Sequence, residues 1–254
     1  SVGGGLTAGL VRLGTLTNST GAYLNNVVVN TNTTGTAGDL VLYGDISLDN
    51  AGAGVASFTF NNANNDGQIF VTASSGSSIT IGTENGGDEA GGAIDLGSGN
   101  IYADNSDAGF ILDARGNGTG GDIDFGTVTN SSDQYLARFE ALTEGAGAIT
   151  LDNNISVDDV NGSGTGTVGG VYFTGTVEIP GSAALIIDTE QGDDNDAAPV
   201  DFTNATFTVL AGDSSLEIDV SAGGGNNGQD VVLGTIDNSG GGFLEGLDIN
   251  TNAT

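Results

Sequence analysis

Carboxylates are the only reactive side chains this sequence offers in number, and they gather in two segments. "ENGGDEAGGAID" carries Glu84, Asp88, Glu89 and Asp95, while "GDDNDAAPVD" carries Asp193, Asp194, Asp196 and Asp201. Hard cations such as calcium take several oxygen ligands from carboxylates, amides and carbonyls, so loops of this composition suit them. Glu84, Asp88, Glu89, Asp193, Asp194 and Asp196 are therefore the candidate metal ligands, and calcium is the one cofactor they suggest. Neither segment reproduces the spaced EF-hand pattern or the nonapeptide of calcium β-rolls, and a solvated turn explains the same residues. Asp158 and Asp159 form an adjacent pair of the kind glycoside cleavage requires. Asn-x-Ser/Thr triplets start at Asn18, Asn32, Asn117, Asn130, Asn161, Asn204 and Asn252. A chain so rich in Asn, Ser and Thr produces several by chance, which leaves glycosylation weakly indicated.

Composition closes most other chemistry. The 254 residues contain no Cys, His, Met, Trp or Lys, and only Arg12, Arg115 and Arg138 stand against 33 acidic residues, for a net charge of −30. General acid–base catalysis at neutral pH leans on His, nucleophilic catalysis on Cys or an activated Ser, and nucleic-acid binding on Lys and Arg. The expectation is a non-enzyme with no nucleic-acid partner. No stretch is long and apolar enough to span a membrane as a helix, and membrane insertion is not expected. The opening "SVGGGLTAGL" has neither a basic n-region nor an apolar h-region, so the chain reads as an internal excerpt.

The elements that must position these carboxylates emerge from self-similarity. Residues 11–34, "VRLGTLTNSTGAYLNNVVVNTNTT", align without a gap on residues 231–254, "VVLGTIDNSGGGFLEGLDINTNAT", with 12 of 24 positions identical. "IDFGTVTNSSDQYLARF" from Ile123 is a third copy, so the starts at 11, 123 and 231 lie 112 and 108 residues apart. The two acidic segments are equivalent parts of consecutive copies. The chain is thus one continuous array over 1–254, with repeats at 11–122 and 123–230 and a third begun at 231–254. Asn18 and Asn130 coincide across copies, which marks them as turn residues.

Within each copy an apolar–variable–apolar triplet recurs, ending in Asn30, Gly82, Asp113, Asp188, Asp219 or Asn250. A second set reads Leu40-Val41-Leu42, Ile94-Asp95-Leu96, Ile123-Asp124-Phe125, Val200-Asp201-Phe202 and Val231-Val232-Leu233. Alternation buries the outer two residues of a triplet and exposes the middle one. Asn, Asp and Gly suit the corners that follow. Strands this short bury their apolar side only by wrapping and stacking, which predicts a parallel β-helix with about four coils per 110 residues. On that fold Ile81, Leu96, Ile123, Phe125, Leu185, Ile187, Val200 and Phe202 point inward, and Asp95, Asp124 and Asp201 share one outward slot. Only Pro180 and Pro199 occur, and proline is costly in a continuous ladder that needs each N–H; "YLARFEALTEG" from Tyr135 reads as one short helical turn on a loop. The alternative, tandem immunoglobulin-like sandwiches, fits the repeat length but leaves the sub-repeats unexplained.

The segments "LIIDT", "DIDFG" and "DVVLGT" resemble the repetitive β-solenoid passengers of filamentous-haemagglutinin-like and autotransporter-type surface proteins, along essentially the whole chain. That resemblance implies an extracellular or cell-surface location and a structural or adhesive filament. The implied partners are other copies, end to end or laterally, and surface glycans or receptors on host or neighbouring cells. A carbohydrate-binding or carbohydrate-active β-helix and an S-layer-like lattice are the alternative readings. Open solenoid ends expose strand edges, so the expectation is an axial stretch of a longer polymer.

Overall fold

The computed structural model describes residues 8–18, 23–32, 35–49, 54–62, 67–74, 76–84, 89–104, 108–129, 136–158, 169–190, 197–222 and 227–252. Short alternating strands dominate them, and every pairing between strands is parallel. Parallel neighbours cannot be joined by a hairpin, so each strand finds its partner one full circuit later. The result is a β-solenoid, and it excludes the antiparallel sandwiches.

Three columns of paired residues define three faces. The chain returns to the first face at Val11, Leu40, Ile69, Ile101, Val128, Ile155, Ile187, Ile218 and Ile249, each in register with the next. Successive returns are 27 to 32 residues apart along this column. The second face runs through Ile79, Phe110, Phe139, Val171, Val200 and Val231. The third runs through Val27, Phe58, Ile94, Ile123, Ile149, Val177, Phe207 and Ile236. Strands Gly170–Ile179 and Val200–Val209 cross from the second face to the third without a break. Gly175, at φ 103°, takes that bend in the first of them.

One hydrophobic cluster fills the interior from Val29 to Ala222, and Ile81, Leu96, Ile123, Phe125, Leu185, Ile187, Val200 and Phe202 all belong to it. Phe139, Phe173 and Phe202 continue from coil to coil with ring centroids 6.4 and 5.0 Å apart. The core is thin because each coil supplies only its inward residues, and burial must come from the stack.

Glycine builds one corner. Two residues before successive first-face stations sit Gly38, Gly67, Gly99 and Gly126. A Cβ there would meet the carbonyl oxygen of Gly9, Gly38, Gly67 and Gly99 at 2.2, 2.7, 2.1 and 2.1 Å respectively. The coil below occupies the space a side chain needs, so the stack closes only where none exists.

One expectation changes and another is refined. The segment after Tyr135 is the strand Leu136–Leu142, with Phe139 and Ala141 inward and Arg138 and Glu140 outward. Its helix-forming residues are overridden because strands on both sides offer the ladder partners a lone helical turn would lack. The expected coils, about four per copy, do not come to a whole number. From Val11 to Ile123, and again from Ile123 to Val231, the chain makes eleven face-to-face steps. Eleven steps on three faces are three and two-thirds coils, so each copy starts one face away from the last: first face at Val11, third at Ile123, second at Val231.

Candidate functional site

The two acidic segments are anchored alike. Thr83 follows the second-face strand Ser78–Gly82, and Thr189 follows the first-face strand Ala184–Asp188. Alternation turns both threonines inward and buries them. Thr83 Oγ1 donates to the Gly92 carbonyl at 2.8 Å and accepts from the Gly92 N–H at 3.0 Å, and Thr189 Oγ1 donates to the Ala198 carbonyl at 2.6 Å. Each bond closes a loop at the same nine-residue separation before the next strand begins. Because the repeat advances by one face, Thr83 stands between a second-face and a third-face strand, and Thr189 between a first-face and a second-face strand. The two threonine anchors therefore stand at different corners.

Glu84 sits in a shallow depression with Asp113, Arg115, Gly116 and Glu144. Arg115 makes two bonds to the Asp113 carboxylate, at 2.9 and 2.7 Å, and this pairing raises the guanidinium pKa against the opposing effect of burial. Glu144 Oε1 accepts from the N–H groups of Gly116 and Gly118 at 2.8 and 3.1 Å, fixing the turn beside it. The Glu89 carbonyl accepts from the Asn117 N–H at 2.6 Å. Among the described residues no group of three or more acidic, His or Cys side chains is arranged to hold a metal. Asp88, Asp193, Asp194 and Asp196 lie outside the described residues.

Many acidic groups are instead turn formers. The side chains of Asn30, Asp113, Asp188, Asp219 and Asn250 each accept the N–H two residues on, the Asx-turn geometry that ends a strand. Asn18 Oδ1 accepts the Leu24 N–H at 2.6 Å, and its repeat equivalent Asn238 accepts the Leu244 N–H at 3.3 Å. Asp158 is only 4% exposed, and Asp159 lies outside the described residues.

The proposed column of Asp95, Asp124 and Asp201 divides. Asp95 and Asp124 are in direct register on the third face, but Asp201 lies on the second face between Tyr172 and Val232. Alternation tells in from out and says nothing about which face a strand occupies. Burial raises the Asp124 pKa, and the neighbouring Asp152 and Asp95 carboxylates add to it; burial also raises that of Asp152. Asp201 moves the other way, because the Thr203 hydroxyl and N–H both donate to it.

Outward aromatic residues escaped the sequence reading. Phe70 and Tyr102 stack in register on the first face with centroids 5.5 Å apart, above Val41 and Arg12. Val41 is 6% exposed although its neighbours Leu40 and Leu42 take the inward positions. On the second face Arg138 lies 4.4 Å over the Tyr172 ring and pairs with Glu140. The signal was present: the middle residues of "LVL", "IFV" and "IYA" are apolar or aromatic where other triplets carry Asp or Thr. The chain matches no protein-family model, no curated protein and no solved structure.

Proposed function

We propose that this chain is a shaft segment of an extracellular structural or adhesive fibre, of the filamentous-haemagglutinin or autotransporter type. The observation that supports it best is the unbroken nine-residue column on the first face, in which each coil rests on the last without a change of fold. Eight steps at about 4.8 Å advance the axis by roughly 38 Å, so many copies make a long, stiff, acidic rod. A carbohydrate-binding module would offer aromatic faces to sugar rings, whereas Phe70 and Tyr102 each turn one face to the other. The reading assigns no catalytic role to any carboxylate, and it makes the loops after Thr83 and Thr189 the places where calcium would bridge neighbouring rods. Electron microscopy of the native assembly tests it: long rods are expected, and discrete capped particles would overturn it. Chelator at low salt should loosen the assembly if calcium bridges it, and an unchanged melt would remove calcium from the account.

A further inference from the structure

One strip of the first face carries no charge. Gln68, Asn100, Thr127 and Asn154 immediately precede the stations Ile69, Ile101, Val128 and Ile155, and Phe70, Tyr102, Thr129 and Ser156 immediately follow them. Alternation turns both columns outward, and every one of these side chains is at least partly exposed. The strip is interior to the rod, with the stations Val11 and Leu40 on one side of it and Ile187, Ile218 and Ile249 on the other. Its surroundings are acidic. Asp95, Asp122, Asp124 and Asp152 stand on or beside third-face strands of the same coils, and Asp188, Glu217, Asp219 and Asp248 carry the first face onward. Two carboxylates at the strip's edges are engaged, Asp39 by the Gln68 N–H and Asp104 by the Thr72 hydroxyl, each at 3.0 Å.

The two columns differ in chemistry. The first offers amides and a hydroxyl, groups that both donate and accept, and Asn154 keeps its Nδ2 donors while Oδ1 accepts from the Ile186 N–H at 2.9 Å. The second begins with the Phe70–Tyr102 stack, where Asn100 Nδ2 donates to the Tyr102 hydroxyl at 2.9 Å and holds the ring. Phe70 lies between Val41 and Tyr102 in the ladder, and Tyr102 lies between Phe70 and Thr129. A threonine is too short to cover a tyrosine ring. The aromatic column therefore ends in a step, with the second face of Tyr102 standing over the hydroxyls of Thr129 and Ser156.

We propose that this strip binds an uncharged polysaccharide lying along the rod axis, with one sugar ring against the second face of Tyr102 and sugar hydroxyls on the amides of Gln68, Asn100 and Asn154. The C–H groups on the flat side of a sugar ring meet the negative face of an aromatic, and its hydroxyls suit partners that donate and accept alike. Charge selects against other ligands: a net −30 repels anions, and cations are drawn to the acidic faces instead. Size selects against a protein. Four strands about 4.8 Å apart and about 7 Å of strand width make roughly 130 Å², where a stable protein interface takes about 800 Å² from each partner. The site lies on a single chain, so it goes beyond the fibre reading and does not depend on it.

The test titrates the whole chain with cellohexaose and with N-acetylchitohexaose by isothermal calorimetry, beside a heparin hexasaccharide, and follows the chain alone by sedimentation velocity. At least one neutral probe should bind with a Kd at or below about 1 mM. Tyr102→Thr, the residue that the next repeat carries at the equivalent Thr208, should weaken binding about tenfold, and Gln68→Ala about threefold, with melts like the wild type. Thr208→Ala should leave binding unchanged. Gln68→Ala removes only an outward side chain and keeps the test decisive if Tyr102→Thr does not fold. Failure of both neutral probes to bind overturns the proposal, and so does binding that neither Tyr102→Thr nor Gln68→Ala weakens. Heparin that binds more tightly than the neutral probes overturns the uncharged ligand, and self-association that Tyr102→Thr abolishes would give the strip to a second copy. Capped particles in the native material would remove the fibre reading and leave this site standing, whereas long rods that bind neither neutral probe would do the reverse.

Discussion

Replacing Gly99 with Ala should destabilise the rod, although Gly→Ala is ordinarily neutral or favourable in extended chain. A Cβ at position 99 falls 2.1 Å from the Gly67 carbonyl oxygen and 2.8 Å from Asn62 Nδ2. Real Cβ contacts essentially never fall below 3.0 Å, so the corner must open by about 0.9 Å, and the obstacle is backbone rather than a movable side chain. Forcing a methyl group into packed structure costs about 1–3 kcal/mol. The same shift strains the bond from Asn62 Nδ2 to the Gly67 carbonyl, 2.9 Å long and buried, worth about 0.5–1.5 kcal/mol. Against these, Ala restricts the unfolded chain and returns about 0.4–1 kcal/mol. The balance is a loss of about 0.5–4 kcal/mol, or roughly 1–16 °C in Tm for a chain of this length. Gly82→Ala is the internal control, since a Cβ there meets nothing within 4 Å and its backbone needs no glycine. Thermal melts followed by far-ultraviolet circular dichroism compare the two directly. Hydrogen exchange should place the Gly99→Ala loss in the coils around 67 and 126. If Gly99→Ala melts with Gly82→Ala at or above the wild type, the carbonyl-stacked corner is not what demands glycine.

Thr189→Val removes the buried donor to the Ala198 carbonyl and should cost about 1–3 kcal/mol, with faster hydrogen exchange confined to the loop and its flanking strands. Equal exchange in both proteins would show the loop closes without it. Asp124→Asn should raise stability at neutral pH. Its carboxylate has a raised pKa in the fold, so the folded state binds the proton more tightly, and stability increases as pH falls through that value toward the ordinary carboxylate range. The advantage of the variant should therefore shrink on acidification, and melts at pH 7 and pH 4 that differ equally would contradict the burial of Asp124 beside Asp152 and Asp95. Arg138→Ala loses the contact over Tyr172 and the ion pair with Glu140, for about 1–2 kcal/mol, and Arg138→Lys should restore only part of it.

Much of the molecule is legible in the triplets. The alternation in Ile79-Thr80-Ile81 or Leu185-Ile186-Ile187 needs only the two-residue period of a strand, and it identified every inward residue named from it. The Asn and Asp closing those triplets announce their turns because an Asx side chain bonds a backbone only two residues away, a local interaction that local sequence encodes. The 110-residue repeat was equally visible, since identity between copies falls on inward positions such as Val11 and Leu13 and on turn residues such as Asn18 and Asn30.

What the sequence could not assign was phase around the rod. Asp95 and Asp201 stand in similar triplets yet occupy different faces, because a face is set by how many corners separate two strands, and loops of different length make a corner equally well. The same ambiguity hid the one-face advance of each repeat and the different corners held by Thr83 and Thr189. Glycine abundance was visible, but the reason for it at Gly38, Gly67, Gly99 and Gly126 lies in carbonyls about 30 residues distant. Inside and outside are properties of one strand; face and corner are properties of a closed coil resting on another, and only the tertiary structure contains that relation.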